Sequence, residues 1–211
     1  MITKEEFYAA LEQKHGKELQ EKFINASVAI CGLGGLGSNI AVCLARAGVG
    51  KLHIIDFDRL EPTNLNRQQY FVRQLGMYKA EALKENLLEI NPFIEVKTDI
   101  VKITDENIKE LLQNENIICE AFDGAENKAM LVNAVLENYS EKYLVSGSGM
   151  AGMSSANKIK TRQVMKRFFI SGDETSDVAT EDSLVSARVM VCAAHEAQIA
   201  LQIIAGKIPE F

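Results

Sequence analysis

Residues 27–38 read SVAICGLGGLGS and combine an apolar run with a glycine-rich turn. Residues 27–31 form a nearly continuous apolar run, which predicts a buried strand. The glycines that follow fit the spacing G-x-G-x-x-G, which lets the backbone turn sharply and brings amides and a helix N-terminus against a phosphate. The next strand, residues 51–56, ends in Asp56, a carboxylate that can accept hydrogen bonds from a ribose. This order of elements predicts nucleotide binding. By itself it fits a nicotinamide dehydrogenase as well as any other nucleotide-binding enzyme.

Outward from this unit, the hydrophobic period alternates between that of a strand and that of a helix. The expected further strands cover about residues 94–100, 116–122 and 142–146, and the expected helices cover about 36–47, 77–90, 104–113 and 125–138. Strands that alternate with helices predict an α/β fold with a Rossmann-like, mostly parallel sheet flanked by helices.

The flanking regions complete one domain over residues 1–211. Residues 1–26 are predicted to form an N-terminal helical arm, which Gly16 divides into two short helices. The region after the sheet is predicted to contain a small-residue loop at 147–153, a short antiparallel C-terminal extension at about 156–161 and 164–170, an exposed acidic loop at 172–186 and a helix at about 186–205.

Composition narrows the possible partners. The 23 Lys and Arg residues against 29 Asp and Glu give a net charge of −6, which argues against a general nucleic-acid binder. No apolar run is long enough to span a membrane, and the first residues lack the pattern of a signal peptide, so a cytoplasmic protein is expected. The four cysteines form no C-x-x-C pair, so no zinc site is expected, and each lies among apolar residues typical of a buried free thiol, so structural disulfides are not expected.

The segment after Asp56 distinguishes a nicotinamide dehydrogenase from other nucleotide-binding proteins. It continues as Asp56-Phe57-Asp58 and then as Thr63-Asn64-Leu65-Asn66-Arg67-Gln68. Together with the glycine loop, with Lys79 and with Asp123 at the end of the fourth strand, this pattern resembles the ThiF/MoeB/HesA superfamily, the prokaryotic relatives of ubiquitin-activating enzymes. A dehydrogenase would leave Asn64, Arg67 and Lys79 without a role.

The resemblance implies an adenylyltransferase. Such an enzyme uses ATP and Mg²⁺ to activate the C-terminal glycine carboxylate of a ubiquitin-like sulfur carrier, and the short length is most similar to ThiF-type proteins that act on a ThiS-like carrier in thiamine biosynthesis. The resemblance also implies the role of each site residue. Gly32, Gly34 and Gly35 admit the nucleotide, Asp56 holds the ribose, Thr63 and Asn64 contact sugar or phosphates, Gln68 makes a phosphate or structural contact, Arg67 and Lys79 neutralise phosphate charge, and Asp123 holds Mg²⁺.

The same resemblance assigns two loops to the carrier. A tail ending in Gly-Gly is expected to lie on the loop at 147–153, under a crossover loop at 172–186. Relatives often carry a cysteine in or beside that loop, and none lies between Cys119 and Cys192 here. The chemistry is therefore expected to stop at the adenylate.

An N-terminal Arg that relatives place in a partner subunit's ATP site is also missing. His15 and Lys17 stand in that region instead, so a homodimer is possible and a shared site is in doubt.

Three alternatives stay open. Another carboxylate could be the substrate: that of a molybdopterin-type carrier, of a peptide or of a modified tRNA base. The chain could instead be a scaffold that binds a nucleotide and recruits a carrier without catalysis. The third alternative is a nicotinamide dehydrogenase, which would explain the glycines and Asp56.

Overall fold

The computed structural model describes residues 2–177, 179–181 and 183–208. Its helices are α1 Lys4–His15, α2 Lys17–Ile24, α3 Gly35–Ala47, α4 Lys79–Ile90, α5 Ile108–Leu111, α6 Ala125–Asn138 and α7 Ser186–Ala205. Its strands are β1 Ser27–Cys31, β2 Lys51–Ile55, β3 Glu95–Asp99, β4 Ile117–Glu120, β5 Tyr143–Gly147, β6 Lys160–Met165 and β7 Phe168–Gly172. Short 3₁₀ turns cover Pro62–Asn64, Val72–Gln74 and Ala156–Lys158.

The seven strands form one sheet in the order β3-β2-β1-β4-β5-β7-β6. All neighbouring pairs are parallel except β6 with β7. Cys31 at the end of β1 lies opposite Ile55 of β2 and Glu120 of β4. The loops that follow β1, β2 and β4 therefore meet at one edge of the sheet, where open α/β sheets bind their ligands. The expected mostly parallel, Rossmann-like sheet is confirmed.

Alternate residues of each central strand point into two different cores. Val28 and Ile30 pack on the side of α3, α4 and α7, whereas Ala29 and Cys31 pack on the side of α5 and α6. This alternation follows from the two-residue period of a strand. Because helices cover both faces, nearly every residue of β1 is buried and the strand reads as a continuous apolar run.

The N-terminal arm forms as its sequence predicts. Thr3 and Glu6 make both hydrogen bonds of a capping box at the start of α1. Gly16 has φ +86° and separates α1 from α2, because only glycine adopts a backbone with positive φ at little cost.

The structure corrects two predicted segments. The helix expected at 104–113 shrinks to α5, because the Asn107 side chain accepts a hydrogen bond from the Thr104 amide and holds the preceding residues in a turn. The extension is antiparallel only between β6 and β7, since β7 pairs parallel with β5. Residues 156–158, expected in a strand, form a 3₁₀ turn instead, with the Ser155 hydroxyl accepting from the Asn157 amide.

None of the helices in the described ranges is long and apolar enough to cross a membrane. All four cysteines are free thiols; Cys31, Cys119 and Cys192 are buried and Cys43 is half-buried.

Candidate active site

Asp56 joins the end of β2 to the glycine loop. Its Oδ2 accepts a hydrogen bond from the Leu33 amide at 2.7 Å, and its Oδ1 accepts one from the Asp58 amide at 2.8 Å. Only 8% of the residue is exposed, and this burial raises the pKa of Asp56, an effect that the Lys79 charge and the two amides oppose. A carboxylate has about four acceptor positions, so Asp56 keeps capacity for further donors such as ribose hydroxyls.

Close contacts explain the glycines of the loop. Gly32 has φ +90°, and a Cβ there would lie 2.9 Å from the Ala121 carbonyl oxygen. At Gly37 a Cβ would lie 1.8 Å from the Gly32 carbonyl oxygen, and at Gly35 it would lie 2.9 Å from Cγ1 of Val189. The loop is therefore packed tightly between the turn after β4, its own helix and α7.

The first turn of α3 is open to an anion. Gly34 is the N-cap, and no side chain of the described residues caps the helix amides. A Cβ at Gly34 would meet only the Gln68 amide nitrogen, 3.8 Å away. Uncapped amides at a helix N-terminus, together with the helix dipole, favour a bound phosphate.

Arg67 lies beside this turn. Its Nη1 donates to the Thr63 carbonyl oxygen at 3.1 Å and to Asn66 Oδ1 at 2.9 Å. Its Cγ is 3.4 Å from the Cβ position of Gly35. The Asn39 side chain donates to the carbonyl oxygens of both Gly35 and Arg67, at 2.6 and 3.1 Å. The side-chain amide of Asn39 therefore joins the loop that carries Arg67 to the glycine loop.

Three neighbouring polar residues differ in how free their side chains are to contact a nucleotide. Asn64 Oδ1 accepts from the Glu61 amide at 3.0 Å and so caps the 3₁₀ turn that contains it. Thr63 is exposed. Gln68 is buried, and its Oε1 has no hydrogen-bond partner in the part of the chain that the structure describes. An unpaired buried acceptor beside Gly34 fits a hydroxyl or amine donor on a nucleotide.

Lys79 forms an ion pair with Asp58. Its Nζ lies 2.7 Å from Asp58 Oδ2, and its amide donates to the Asp58 carbonyl oxygen at 2.9 Å. The Lys79 side chain is 9% exposed, whereas that of Asp58 is 49% exposed. An ammonium has three donors, so Lys79 can contact a phosphate while it stays paired.

The turn that carries Asp123 is set by a buried glutamate. Glu120 Oε1 accepts from the Phe122 amide at 2.8 Å, while Oε2 accepts from Ser146 Oγ at 2.5 Å and pairs with Lys128. Asp123 is exposed, and Gly32 contacts the turn just before it. In the described ranges no group of three His, Cys, Asp or Glu side chains could hold a metal ion.

The small-residue loop at 147–153 lies directly against the segment that follows β7. A Cβ at Gly149 would lie 2.3 Å from Asp173 Oδ1, and one at Gly152 would lie 2.2 Å from Glu181 Oε2. Both glycines have positive φ, +81° and +79°. The described part of the predicted crossover loop, which leaves out residues 178 and 182, is therefore adjacent to the loop at 147–153.

Several residues of this arrangement were not predicted. No role was predicted from the sequence for Asn39, Asn66, Tyr70, Glu120 or Arg188. Tyr70 donates from its hydroxyl to the Leu33 carbonyl oxygen at 2.8 Å, and Arg188 is buried with hydrogen bonds to the carbonyl oxygens of Ser154 and Ser155. For Asn39 alone a signal existed, because it follows Gly35 by one helical turn. The others depend on contacts between segments distant in sequence.

Comparison with known proteins gives one family. A model of the ThiF family matches residues 8–211. Over 136 residues the chain is 35% identical to adenylyltransferase and sulfurtransferase MOCS3 of Aedes aegypti, which covers 64% of this chain and 31% of that protein. Over 122 residues it is 34% identical to the sulfur carrier protein adenylyltransferase of Thermus thermophilus, which covers 57% and 45%. The chain thus spans less than half the length of either relative.

Solved structures share the fold. E. coli tRNA N6-threonylcarbamoyladenosine dehydratase, TcdA, in complex with AMP superposes with a TM-score of 0.85 at 22% identity, over 94% of each chain. E. coli MccB with succinimide superposes with a TM-score of 0.71 at 23% identity, over 90% of this chain and 59% of that one. At these identities the likeness concerns the fold.

Proposed function

The chain belongs to the ThiF family, and we propose that it is an ATP-dependent adenylyltransferase that activates the C-terminal glycine carboxylate of a ubiquitin-like sulfur carrier. The observation that carries the proposal is the junction of Asp56 with the glycine loop, beside the uncapped start of α3. Arg67 and Lys79 flank this junction, so a sugar acceptor, phosphate donors and cations occur together.

The ribose and the phosphates of the nucleotide each have matching groups. Asp56, with two oxygens already held by backbone amides, is rigid enough to orient a ribose. The amides of the first turn of α3 serve the phosphates, and Gln68 Oε1 offers a further acceptor. Thr63 and Asn64 lie on the rim, where they contact sugar or phosphates.

The reaction is a displacement at phosphorus. A carboxylate oxygen of the acyl substrate attacks the α-phosphorus, the bond to the β-phosphate oxygen breaks, and acyl-adenylate and pyrophosphate form. Negative charge grows on the phosphoryl oxygens and on the leaving group, so fixed cations and positioning are the useful catalysts. Arg67 supplies a planar, permanently charged donor, and Lys79 supplies a compact charge held in place by Asp58.

Asp123 suits a magnesium ion that the phosphates share. Mg²⁺ is commonly bound by one or two carboxylates together with substrate phosphates and water, so a cluster of protein ligands is not required. The Asp123 carboxylate is exposed at the edge of the sheet where the glycine loop lies. When bound, the ion would neutralise charge on the phosphates; Asp123 would fix its position.

The acyl substrate is proposed from the loops and from the relatives. The loop at 147–153 consists mostly of small residues, and its Gly149 and Gly152 pack against Asp173 and Glu181, so the two segments proposed to hold a Gly-Gly tail are adjacent. The Thermus relative is named a sulfur carrier protein adenylyltransferase. We assign a ThiS-like carrier and thiamine biosynthesis as the finer form of the proposal.

Burial of the cysteines supports chemistry that stops at the adenylate. Cys31, Cys119 and Cys192 are buried, and burial raises the pKa of each thiol. Since the thiolate is the nucleophile, such thiols are poor partners for covalent transfer of a carrier.

A second candidate substrate is a carboxylate on RNA. TcdA, which shares the fold, is named as a tRNA dehydratase. Strand β6 and the turn after it carry Lys160, Arg162, Lys166 and Arg167 without an acidic residue, although the whole chain has a net charge of −6. Arg162 is paired with Glu174, which reduces the charge that this edge offers. The local patch therefore makes RNA a substrate to test beside the carrier.

The deciding experiment is ATP–pyrophosphate exchange with Mg²⁺. It is run with no acceptor, with a ThiS-like carrier that ends in Gly-Gly, with the same carrier lacking its last glycine, and with tRNA. Arg67→Ala serves as the inactive variant and Arg73→Ala, an exposed residue stacked on Phe71, as the matched control.

Exchange that needs the intact carrier tail and Arg67 supports the proposal. Exchange with tRNA and not with the carrier would support a carboxylate on RNA as the substrate. ATP binding and carrier binding without exchange would favour the scaffold, and tight NADH binding without ATP binding would favour a dehydrogenase.

A further inference from the structure

One side chain connects the nucleotide side of the site to the segment before α7. Asn66 Oδ1 accepts a hydrogen bond from Arg67 Nη1 at 2.9 Å. Its Nδ2 donates to the Leu184 carbonyl oxygen at 2.8 Å, across 118 positions of sequence. The Asn66 side chain therefore accepts from the neighbouring Arg67 and donates to the segment just before α7.

The segment that receives Asn66 is also bonded to the small-residue loop. Gly152 donates its amide to the Ser183 carbonyl oxygen at 2.8 Å. Ser183 and Leu184 are consecutive, so adjacent carbonyl groups accept from the small-residue loop and from Asn66. A chain of three hydrogen bonds thus runs from the Arg67 guanidinium to the Gly152 amide.

Contacts at the start of α7 hold this connection in place. Arg188 is 3% exposed, donates to the carbonyl oxygens of Ser154 and Ser155, and pairs with Asp173. Val189, the next residue, presses on the Gly35 position of the glycine loop. The first turns of α7 therefore contact both ends of the site, and a displacement at one end is transmitted through a packed element.

We infer that Asn66 is a positioning residue that couples nucleotide binding at Arg67 to the conformation of the loop at 147–153. The inference rests on the proposed function, since it takes Arg67 as the phosphate contact and this loop as the seat of the acyl tail. Asn66 does not touch the reacting atoms. It sets where Arg67 rests, and it tightens the Ser183–Gly152 contact when Arg67 engages a phosphate. Because coupling is reciprocal, a seated acyl tail raises ATP affinity through the same contacts.

Three variants separate the two hydrogen bonds of Asn66. Asn66→Asp keeps an acceptor for Arg67 and removes the donor to Leu184. Asn66→Ala removes both, and Asn66→Gln keeps both groups on a longer side chain. Asn138→Ala is the control, because the Asn138 side chain donates to the Ala134 carbonyl oxygen within its own helix and lies outside the site.

The first measurement is hydrogen exchange at the Gly152 amide with and without saturating ATP. For the wild type we expect ATP to slow exchange at Gly152 by about fivefold or more, the lower end of usual coupling factors. Asn66→Asp and Asn66→Ala are expected to show less than about twofold slowing at ATP saturation, and Asn66→Gln to recover part of it. The control should behave as the wild type. A role in folding alone would not make this response depend on ATP.

The second measurement is the ATP dissociation constant with and without carrier. Loss of the carrier's effect on the ATP dissociation constant in both Asn66→Asp and Asn66→Ala, with the effect partly kept in Asn66→Gln, supports the inference. Wild-type ATP protection that is absent, or equal in Asn66→Asp, overturns the inference and leaves the proposed function standing if exchange activity is present. Absence of ATP binding by the wild type overturns both.

Discussion

The Asp56 carboxylate accepts a hydrogen bond from the Leu33 amide at 2.7 Å, with only 8% of Asp56 exposed. This bond ties the end of β2 to the loop after β1, and it directs a loop amide into the protein. The same carboxylate is held by the Asp58 amide, so it is oriented before any ligand arrives. Preorganisation of this kind lowers the entropic cost of binding.

Asp56→Asn is expected to weaken ATP binding by about 10–100-fold, since a charge-assisted hydrogen bond contributes about 1.5–3 kcal/mol. Asp56→Ala should also lower the free energy of unfolding by about 1–3 kcal/mol, because the buried Leu33 amide loses its acceptor. Calorimetric titration with ATP and urea unfolding measure the two effects. Asp105→Ala, an exposed carboxylate far along the chain, is the control. Unchanged ATP affinity in Asp56→Asn would remove the ribose role.

Gly35→Ala is expected to cost about 1–3 kcal/mol of stability by overpacking, because the new Cβ would lie 2.9 Å from Val189 Cγ1. Val189→Ala removes that atom. The double variant should therefore lose less stability than the sum of the single variants, and it should regain part of the ATP affinity that Gly35→Ala loses. A double-mutant cycle by urea unfolding measures the interaction. Strictly additive losses would mean that Val189 does not constrain the loop.

Asp123→Ala is expected to raise the Mg²⁺ concentration for half-maximal pyrophosphate exchange by about tenfold, with less effect on ATP binding measured without metal. The reason is that Asp123 would supply the protein's carboxylate to an ion held otherwise by phosphates. Glu126→Ala, three residues on and exposed, tests for a general effect of removing negative charge. An equal shift in both variants would deny Asp123 a specific metal role.

Glu196→Gln is expected to increase the free energy of unfolding at pH 7, because it removes a group that ionises in the unfolded chain and stays protonated in the folded one. Glu196 is fully buried, its Oε2 has no partner among the described residues, and burial raises the pKa of this carboxyl well above its ordinary 4.5. The folded protein thus retains a proton that the unfolded chain has lost, so this group lowers stability as pH rises above about 4.5.

Urea unfolding between pH 4 and pH 8 tests this for Glu196→Gln and the wild type. The difference should grow with pH, since a glutamine side chain does not titrate. Glu126→Gln, an exposed position, should leave the pH dependence unchanged. Parallel curves for the Glu196 variant and the wild type would show that Glu196 has an ordinary pKa in the folded state.

Patterns within the chain sufficed for most elements. The apolar run at 27–31 and the glycines after it specified a buried strand, a tight turn and a helix, because each depends on residues a few positions apart. The helix at 125–138 was predicted with its observed bounds. The failures at 104–113 and 156–158 arose where Asn107 and Ser155 hydrogen-bond to nearby backbone and stabilise turns.

Site residues divide along the same line. The order of the glycine loop, Asp56, Arg67, Lys79 and Asp123 along the chain was enough to indicate one superfamily and its candidate site. The residues that hold these groups became visible only in the folded chain: Asn39 bonds to the Arg67 carbonyl, Asp58 pairs with Lys79, and Glu120 bonds to the turn before Asp123. The physical reason is that an anchoring residue needs only a polar group at the right distance in space, and chain position does not reveal that distance when the sheet brings remote loops together.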